Sequence, residues 1–130
     1  MFAALKKIKK DTLEKKLGAD CKKIFQWELE ILMGVNNCEN VVKLIEVIWT
    51  ESKYYLAFEY CSGGDLAGYI KKKGRIPSQK VWKFMQDIAH GLKYLKKKNV
   101  IHRDLKPGNF LLSDDSEYPT IKIADFGLAR

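Results

Sequence analysis

Hydrophobic and polar positions follow one another in three rhythms along this chain, and each rhythm predicts a different element. Phe2-Ala3-Ala4-Leu5-Lys6-Lys7-Ile8 is a short, apolar-rich opening that reads as a strand. From about Asp11 to Val35 the spacing becomes helical. Leu17, Cys21, Ile24, Leu32 and Val35, joined by Phe25 and Ile31, form one stripe at three- and four-residue steps, with Gly34 and Asn36-Asn37 as the stop. Two strands are predicted next, Val41 to Trp49 and Tyr54 to Glu59, with Thr50-Glu51-Ser52-Lys53 as the hairpin loop between them. Cys61-Ser62-Gly63-Gly64-Asp65-Leu66 breaks the alternation. Asp65 is a suitable N-cap for a short helix through Ile70, and Lys71 to Ile76 reads as a basic turn carrying Gly74. Pro77-Ser78 opens the longest helix, whose buried face is marked by Val81, Met85, Ile88, Leu92 and Leu95, with Trp82 and Ala89 beside it. Its end, Lys96-Lys97-Lys98-Asn99, sets cations at a helix C-terminus, where they are favoured. Phe110-Leu111-Leu112 and Ile121-Lys122-Ile123 then look like two small strands bracketing a functional loop. The order predicts an α+β fold with a crossover between its halves near residues 59–65.

Composition narrows the class of protein without naming a function. A chain of 130 residues, 46% hydrophobic and 31% charged, has room for one compact domain with a real core. No stretch is apolar for long enough to span a bilayer, and the opening turns basic too early for a signal peptide. A soluble, intracellular and cytoplasmic protein is expected. Cys21, Cys38 and Cys61 are scattered with no C-x-x-C pair, and there are only two histidines. That argues for reduced thiols and against a zinc site. The net charge of +8 raises the question of nucleic-acid binding, but the basic clusters are mostly lysines without interleaved arginines and aromatics. They read as solvated faces, and no specific nucleic-acid partner is expected.

The chemistry concentrates in His102-Arg103-Asp104-Leu105-Lys106-Pro107-Gly108-Asn109, with Asp125-Phe126-Gly127 sixteen residues after Asn109. An isolated D-F-G is commonplace, but the octet followed by that triplet resembles the signature of eukaryotic protein kinases. The resemblance implies a two-lobed kinase fold using ATP and Mg2+. Phosphoryl transfer demands positioning and charge neutralisation more than covalent help. Asp104 matches the family's catalytic base, and Lys106 would set an ammonium near the transferring phosphate. Asn109 and Asp125 offer the hard oxygen ligands that magnesium prefers.

Upstream positions agree with this resemblance. Ala3-Ala4-Leu5-Lys6 resembles the family's V-A-I-K strand, making Lys6 the phosphate-binding lysine. Glu28 borders the apolar helical stripe and has no cation three or four residues away, so it calls for a partner elsewhere. The family's Lys–Glu ion pair implies Lys6. Tyr55 to Leu66 resembles the last small-lobe strand running into the hinge. By that match Phe58 is the gatekeeper beside the adenine. The carbonyl of Glu59 and the backbone amide and carbonyl of Cys61 would bond the base, and Asp65 is either a ribose contact or simply an N-cap. Ala4 and Leu111 match the residues that sandwich the adenine. Leu32, Leu44, His102 and Phe126 match a stack joining the lobes, and ordinary core packing would explain each of them as well.

Lys106-Pro107 after Asp104 resembles serine/threonine kinases, and Glu59 to Ile70 looks most like the autophagy-initiating Unc-51-like group. The resemblance implies an incomplete small lobe over 1–59, a hinge over 60–65 and the first part of the large lobe over 66–130. Family members are roughly twice this long, so a truncated domain, inactive alone, is expected, with Val81, Met85, Ile88, Leu92 and Leu95 partly exposed. The partners implied are a protein substrate bearing Ser or Thr and regulatory proteins. The alternative is a non-catalytic kinase remnant acting as a partner-binding or decoy module.

Overall fold

A computed structural model of the chain describes residues 3–9, 21–102 and 104–124. Three antiparallel strands form the first sheet: β1 (Ala3–Lys9), β2 (Leu44–Trp49) and β3 (Lys53–Glu59), in the order β1-β3-β2. The β2–β3 hairpin forms where the polar tetrapeptide predicts it. Thr50 closes it twice, its Oγ1 donating to the Lys53 carbonyl and accepting from the Lys53 amide, both at 3.0 Å. β1 lies on the other side of β3, with Ala4 opposite Phe58 and Lys6 opposite Leu56. The register slips between Leu44 and Glu46, a bulge that leaves Ile45 exposed.

Helix α1 (Cys21–Gly34) belongs to the predicted helical stretch, whose residues 11–20 lie outside those described. It buries Leu29, Leu32 and the following Val35. Just beyond it, Asn36 replaces a missing strand partner. Its Oδ1 accepts from the Leu44 amide at 3.0 Å and its Nδ2 donates to the Leu44 carbonyl at 3.1 Å. α2 (Leu66–Lys73) is capped by Asp65, whose Oδ1 accepts from the Gly68 amide at 2.7 Å. It runs three residues past the expected end at Ile70, because Lys71, Lys72 and Lys73 are good helix formers and sit where the helix dipole favours cations. Gly74, at φ 67°, is the true stop.

α3 (Ser78–Lys97) starts at the predicted Pro77-Ser78, but its buried flank is a different one. Phe84, Asp87, Gly91 and Leu95 are buried, while Val81 and Met85 are 42% and 57% exposed and Ile88 and Leu92 half-buried, so the apolar face is partly exposed as expected, except at Leu95. The observed stripe is rotated by roughly 80° about the helix axis from the apolar one, at 100° per residue. Gly91 explains the shift. A Cβ there would stand 2.7 Å from Ile123 Cδ1 and 2.9 Å from the Asn40 carbonyl oxygen, so the helix backbone itself packs on the second sheet. Asp87 is drawn inward for the same reason. Its Oδ2 accepts from Lys83 Nζ at 2.6 Å and from the Ile121 amide at 3.0 Å.

The second sheet pairs β4 (Phe110–Leu112) with β5 (Ile121–Ile123). One hydrophobic cluster runs from Leu29, Leu32 and Leu56 through Val41 and Leu44 to Phe84, Leu95, Leu112, Ile121 and Ile123. The two sheets therefore share a core, and the α+β class expected from the sequence is the one observed.

Candidate active site

Residues 98–102 and 104–109 link α3 to β4 as irregular chain ending in a single 3-10 turn, Pro107–Asn109. An exposed loop of this length would hold no fixed geometry, and His102 supplies what does. Its ring is buried. Nδ1 accepts from the Asp104 amide at 3.1 Å, so Nε2 carries the proton and donates to the Ala124 carbonyl at 2.6 Å. Ala124 is the residue before Asp125, and its amide donates to the Asn109 carbonyl at 2.9 Å. Both ends of the loop are thus fastened to the chain leaving β5.

Asn109 is buried and organises the interior of the loop. Its amide donates to the Lys106 carbonyl at 2.9 Å. Nδ2 donates to the Asp104 carbonyl at 2.7 Å and reaches the Asp104 carboxylate at 3.2 Å. Two acceptors fix which end of the side-chain amide is nitrogen, and Oδ1 is not spent on either contact. Lys106 Nζ stands 3.6 Å from Asp104 Oδ2, with side chains 59% and 31% exposed. A wet pair at that distance contributes little to stability. It leaves both charges available to a substrate.

Of the expected site residues, the structure brings Asp104, Lys106 and Asn109 together. Asp125 and Phe126 lie outside the described residues, as do the side chains of Lys6 and Glu28. The Lys6 backbone is in β1 and that of Glu28 is in α1. Ala4 is exposed and sits opposite the half-buried Phe58. Leu111 is half-buried, pairs with Lys122 in the second sheet, and forms an isolated bridge to Asp65. Asp65 is an N-cap in the structure. The Cys61 carbonyl accepts from the Gly64 amide at 3.3 Å, and burial pushes the Cys61 thiol up, with Glu59 adding to the shift and Lys122 opposing it.

Three polar side chains that matter to this geometry escaped the sequence reading. Asn40 Nδ2 donates to the Ile121 carbonyl at 3.0 Å, and its own carbonyl accepts from the Ile123 amide at 2.9 Å, so it anchors β5. Asp87 holds the other side of that strand. The signal for it was a carboxylate in the middle of an apolar helix with a lysine four residues before. The third is Lys122, whose Nζ stands 3.3 Å from Glu59 Oε1. Strand alternation gives Lys122 a face but no partner.

Comparison with known proteins shows the family. The model of the protein kinase domain family matches residues 1–130. The serine/threonine-protein kinase ATG1c of Arabidopsis thaliana is 43% identical over 127 residues, covering 98% of this chain and 17% of the relative. The serine/threonine-protein kinase unc-51 of Caenorhabditis elegans is 37% identical over 136 residues, 98% of this chain and 15% of the relative. The human serine/threonine-protein kinase ULK3 is 41% identical over 103 residues, 79% of this chain and 21% of the relative. The chain therefore spans about a fifth or less of the length of these curated relatives.

Proposed function

The chain belongs to the protein kinase family, with relatives in its Unc-51-like serine/threonine group, and from that premise we propose that its residues lay out phosphoryl transfer from Mg-ATP to a serine or threonine hydroxyl of a protein. The observation that carries this is the fastening of the 102–109 loop to Ala124. Three hydrogen bonds, from His102 Nε2, to the Asn109 carbonyl and to His102 Nδ1, hold Asp104 and Asn109 beside the residue that precedes Asp125.

Asp104 is the residue to accept the proton of the attacking hydroxyl, and its half-exposed carboxylate is open to one. Lys106 faces the same space and would neutralise charge developing on the transferring phosphate. A magnesium ion held there would supply positive charge to offset that of the phosphate oxygens. The donor set suits it: a carboxylate at Asp125 and the uncommitted Oδ1 of Asn109 are hard oxygen ligands. Lys6, with Glu28 as its partner, is assigned to the nucleotide phosphates. Ala4, Phe58, Leu111, Asp65 and the backbone of Glu59 and Cys61 are assigned to the nucleoside. On this reading residues 1–59 serve as small lobe, 60–65 as hinge and 66–130 as large lobe.

The test is Mg2+-dependent ATP binding by the 130-residue chain, read as a thermal shift, beside transfer of phosphate to a Ser/Thr peptide, which is expected only where these residues stand in a whole kinase domain. Asn109→Ala is expected to abolish the magnesium dependence of the shift, and Asp104→Asn to leave it. A second reading, a non-catalytic module that works by binding partners, draws on the open apolar flank of α3, where Val81, Trp82 and Met85 are exposed. A chain with no nucleotide response in any variant would favour it.

A further inference from the structure

A lysine on a two-stranded ribbon normally extends into water. Lys122 does not: its side chain is only 11% exposed, although its strand neighbours Ile121 and Ile123 already fill the core on the opposite face. It is folded over the back of the hinge. Nζ stands 3.3 Å from Glu59 Oε1 and donates to the Glu39 carbonyl at 2.8 Å. Glu59, the last residue of β3, is held from a second direction. Its Oε1 accepts from the Lys43 amide at 3.0 Å, while its own amide donates to the Lys43 carbonyl at 2.9 Å.

These contacts close a circuit. Segment 39–43 is bonded to Glu59 on one side and to β5 on the other, through Val42 to the Ile123 carbonyl at 3.0 Å and through Asn40 to the Ile121 carbonyl at 3.0 Å. Lys122 spans the circuit, tying β5 directly to the hinge end of β3. Its energetic reason is not bulk stability, because a half-buried ion pair seldom outperforms an apolar pair of equal volume. What it does supply is a fixed distance between β5, whose following residue Ala124 fastens the 102–109 loop, and the strand that leads to the hinge.

We propose that Lys122 is a positioning residue: acting through the Glu59 carboxylate, it sets the hinge backbone of residues 59–61 at the distance from β4 and β5 at which that backbone receives the nucleotide base. This rests on the hinge assignment made under the proposed function. It adds a side-chain role for Glu59 beyond its carbonyl, and a role for a lysine that touches no ligand.

The test uses the 130-residue chain with Lys122→Met, Lys122→Arg and Glu59→Gln. Amide hydrogen exchange is followed at Lys43 and Glu59 without nucleotide, and binding of Mg-ATP is compared with binding of Mg-tripolyphosphate, which lacks a base. In Lys122→Met, exchange at those two amides is expected to rise by about tenfold, the scale of one lost charge-assisted contact, with α3 amides unchanged. ATP affinity should fall by a similar factor, tripolyphosphate affinity should hold, and Lys122→Arg should restore both. Glu59→Gln keeps an acceptor for Lys43 and should fall between. Equal loss of both ligands, or exchange rising throughout α3, would reduce Lys122 to a stability role and overturn the proposal. So would unchanged exchange at Lys43 and Glu59. If the unsubstituted chain binds neither ligand, the nucleotide reading falls on its own, and the exchange at the two amides still decides for or against the clamp.

Discussion

The loop at 102–109 and the stretch at 60–65, proposed as the hinge, are both short, irregular and bonded to the second sheet, yet they are built on opposite principles. In the loop the backbone serves the side chains. His102 and Asn109 spend most of their hydrogen bonds on fixing main chain, so that the carboxylate of Asp104 and the ammonium of Lys106 face each other at the solvent-accessible side of the loop. In the hinge the side chains serve the backbone. Glu59 is locked by Lys43 and Lys122, and Asp65 caps α2. Gly63 exchanges main-chain bonds across β4, its amide donating to the Leu112 carbonyl at 3.0 Å. Chemistry performed by side chains constrains residue types. Chemistry performed by main chain constrains shape, and many sequences supply the same shape.

The sharpest way to break this contrast is to compare isosteric carboxylate-to-amide changes in the two places. Asp104→Asn removes a proton acceptor and, within a whole kinase domain that carries these residues, is expected to lower peptide phosphorylation by the 10²- to 10⁴-fold typical of a lost general base, with ATP binding unchanged. Glu59→Gln should lower the rate at saturating ATP hardly at all and raise the KM for ATP. Steady-state kinetics with one peptide resolve the two. A rate collapse in Glu59→Gln would erase the distinction.

The glycines give the next comparison. A Cβ on Gly63 would stand 2.6 Å from Leu112 Cβ, with the Asp114 carbonyl oxygen closer still, whereas a Cβ on Gly108 meets nothing within 4 Å. Gly63→Ala must push hinge and β4 apart and is expected to cost about 1–3 kcal/mol, as overpacking does. Gly108→Ala, in the 102–109 loop, should stay within about 0.5 kcal/mol of the parent. Urea unfolding measures both. Gly91→Ala belongs with Gly63, since its added carbon would stand 2.7 Å from Ile123 Cδ1 and 2.9 Å from the Asn40 carbonyl.

The same contrast explains what could be read from the letters. The family was legible from the octet and the D-F-G triplet because side-chain chemistry leaves few substitutes, and the β2–β3 hairpin, α2 cap and α3 start were legible from punctuation. The buried flank of α3 was not. Asp87 and Gly91 are its centre, and neither is an apolar letter: one is inside to hold the Ile121 amide, the other to let a backbone approach. Asn36 and Asn40 were hidden for a related reason, since each substitutes for a strand partner that sequence patterns cannot supply. Lys122 carried no sign at all, because its partner is 63 residues away along the chain.

Cys61 offers the smallest effect and the most direct report on the hinge. Its thiol is pushed up chiefly by burial, then by the Glu59 charge, while Lys122 pulls it down. Thiolate is the reactive form, so removing each charge should move alkylation in opposite directions. Lys122→Met leaves Glu59 unopposed, lifts the thiol further and slows iodoacetamide labelling near pH 8. Glu59→Gln removes a repelling charge and speeds it. A Cys21→Ser, Cys38→Ser background isolates the signal, and rates across pH 7 to 9 separate ionisation from access. If the pair merely shields the sulfur, both substitutions expose it and both rates rise together. Opposite signs require the two charges to act on the hinge as separate, fixed sources, which is the arrangement a clamp produces.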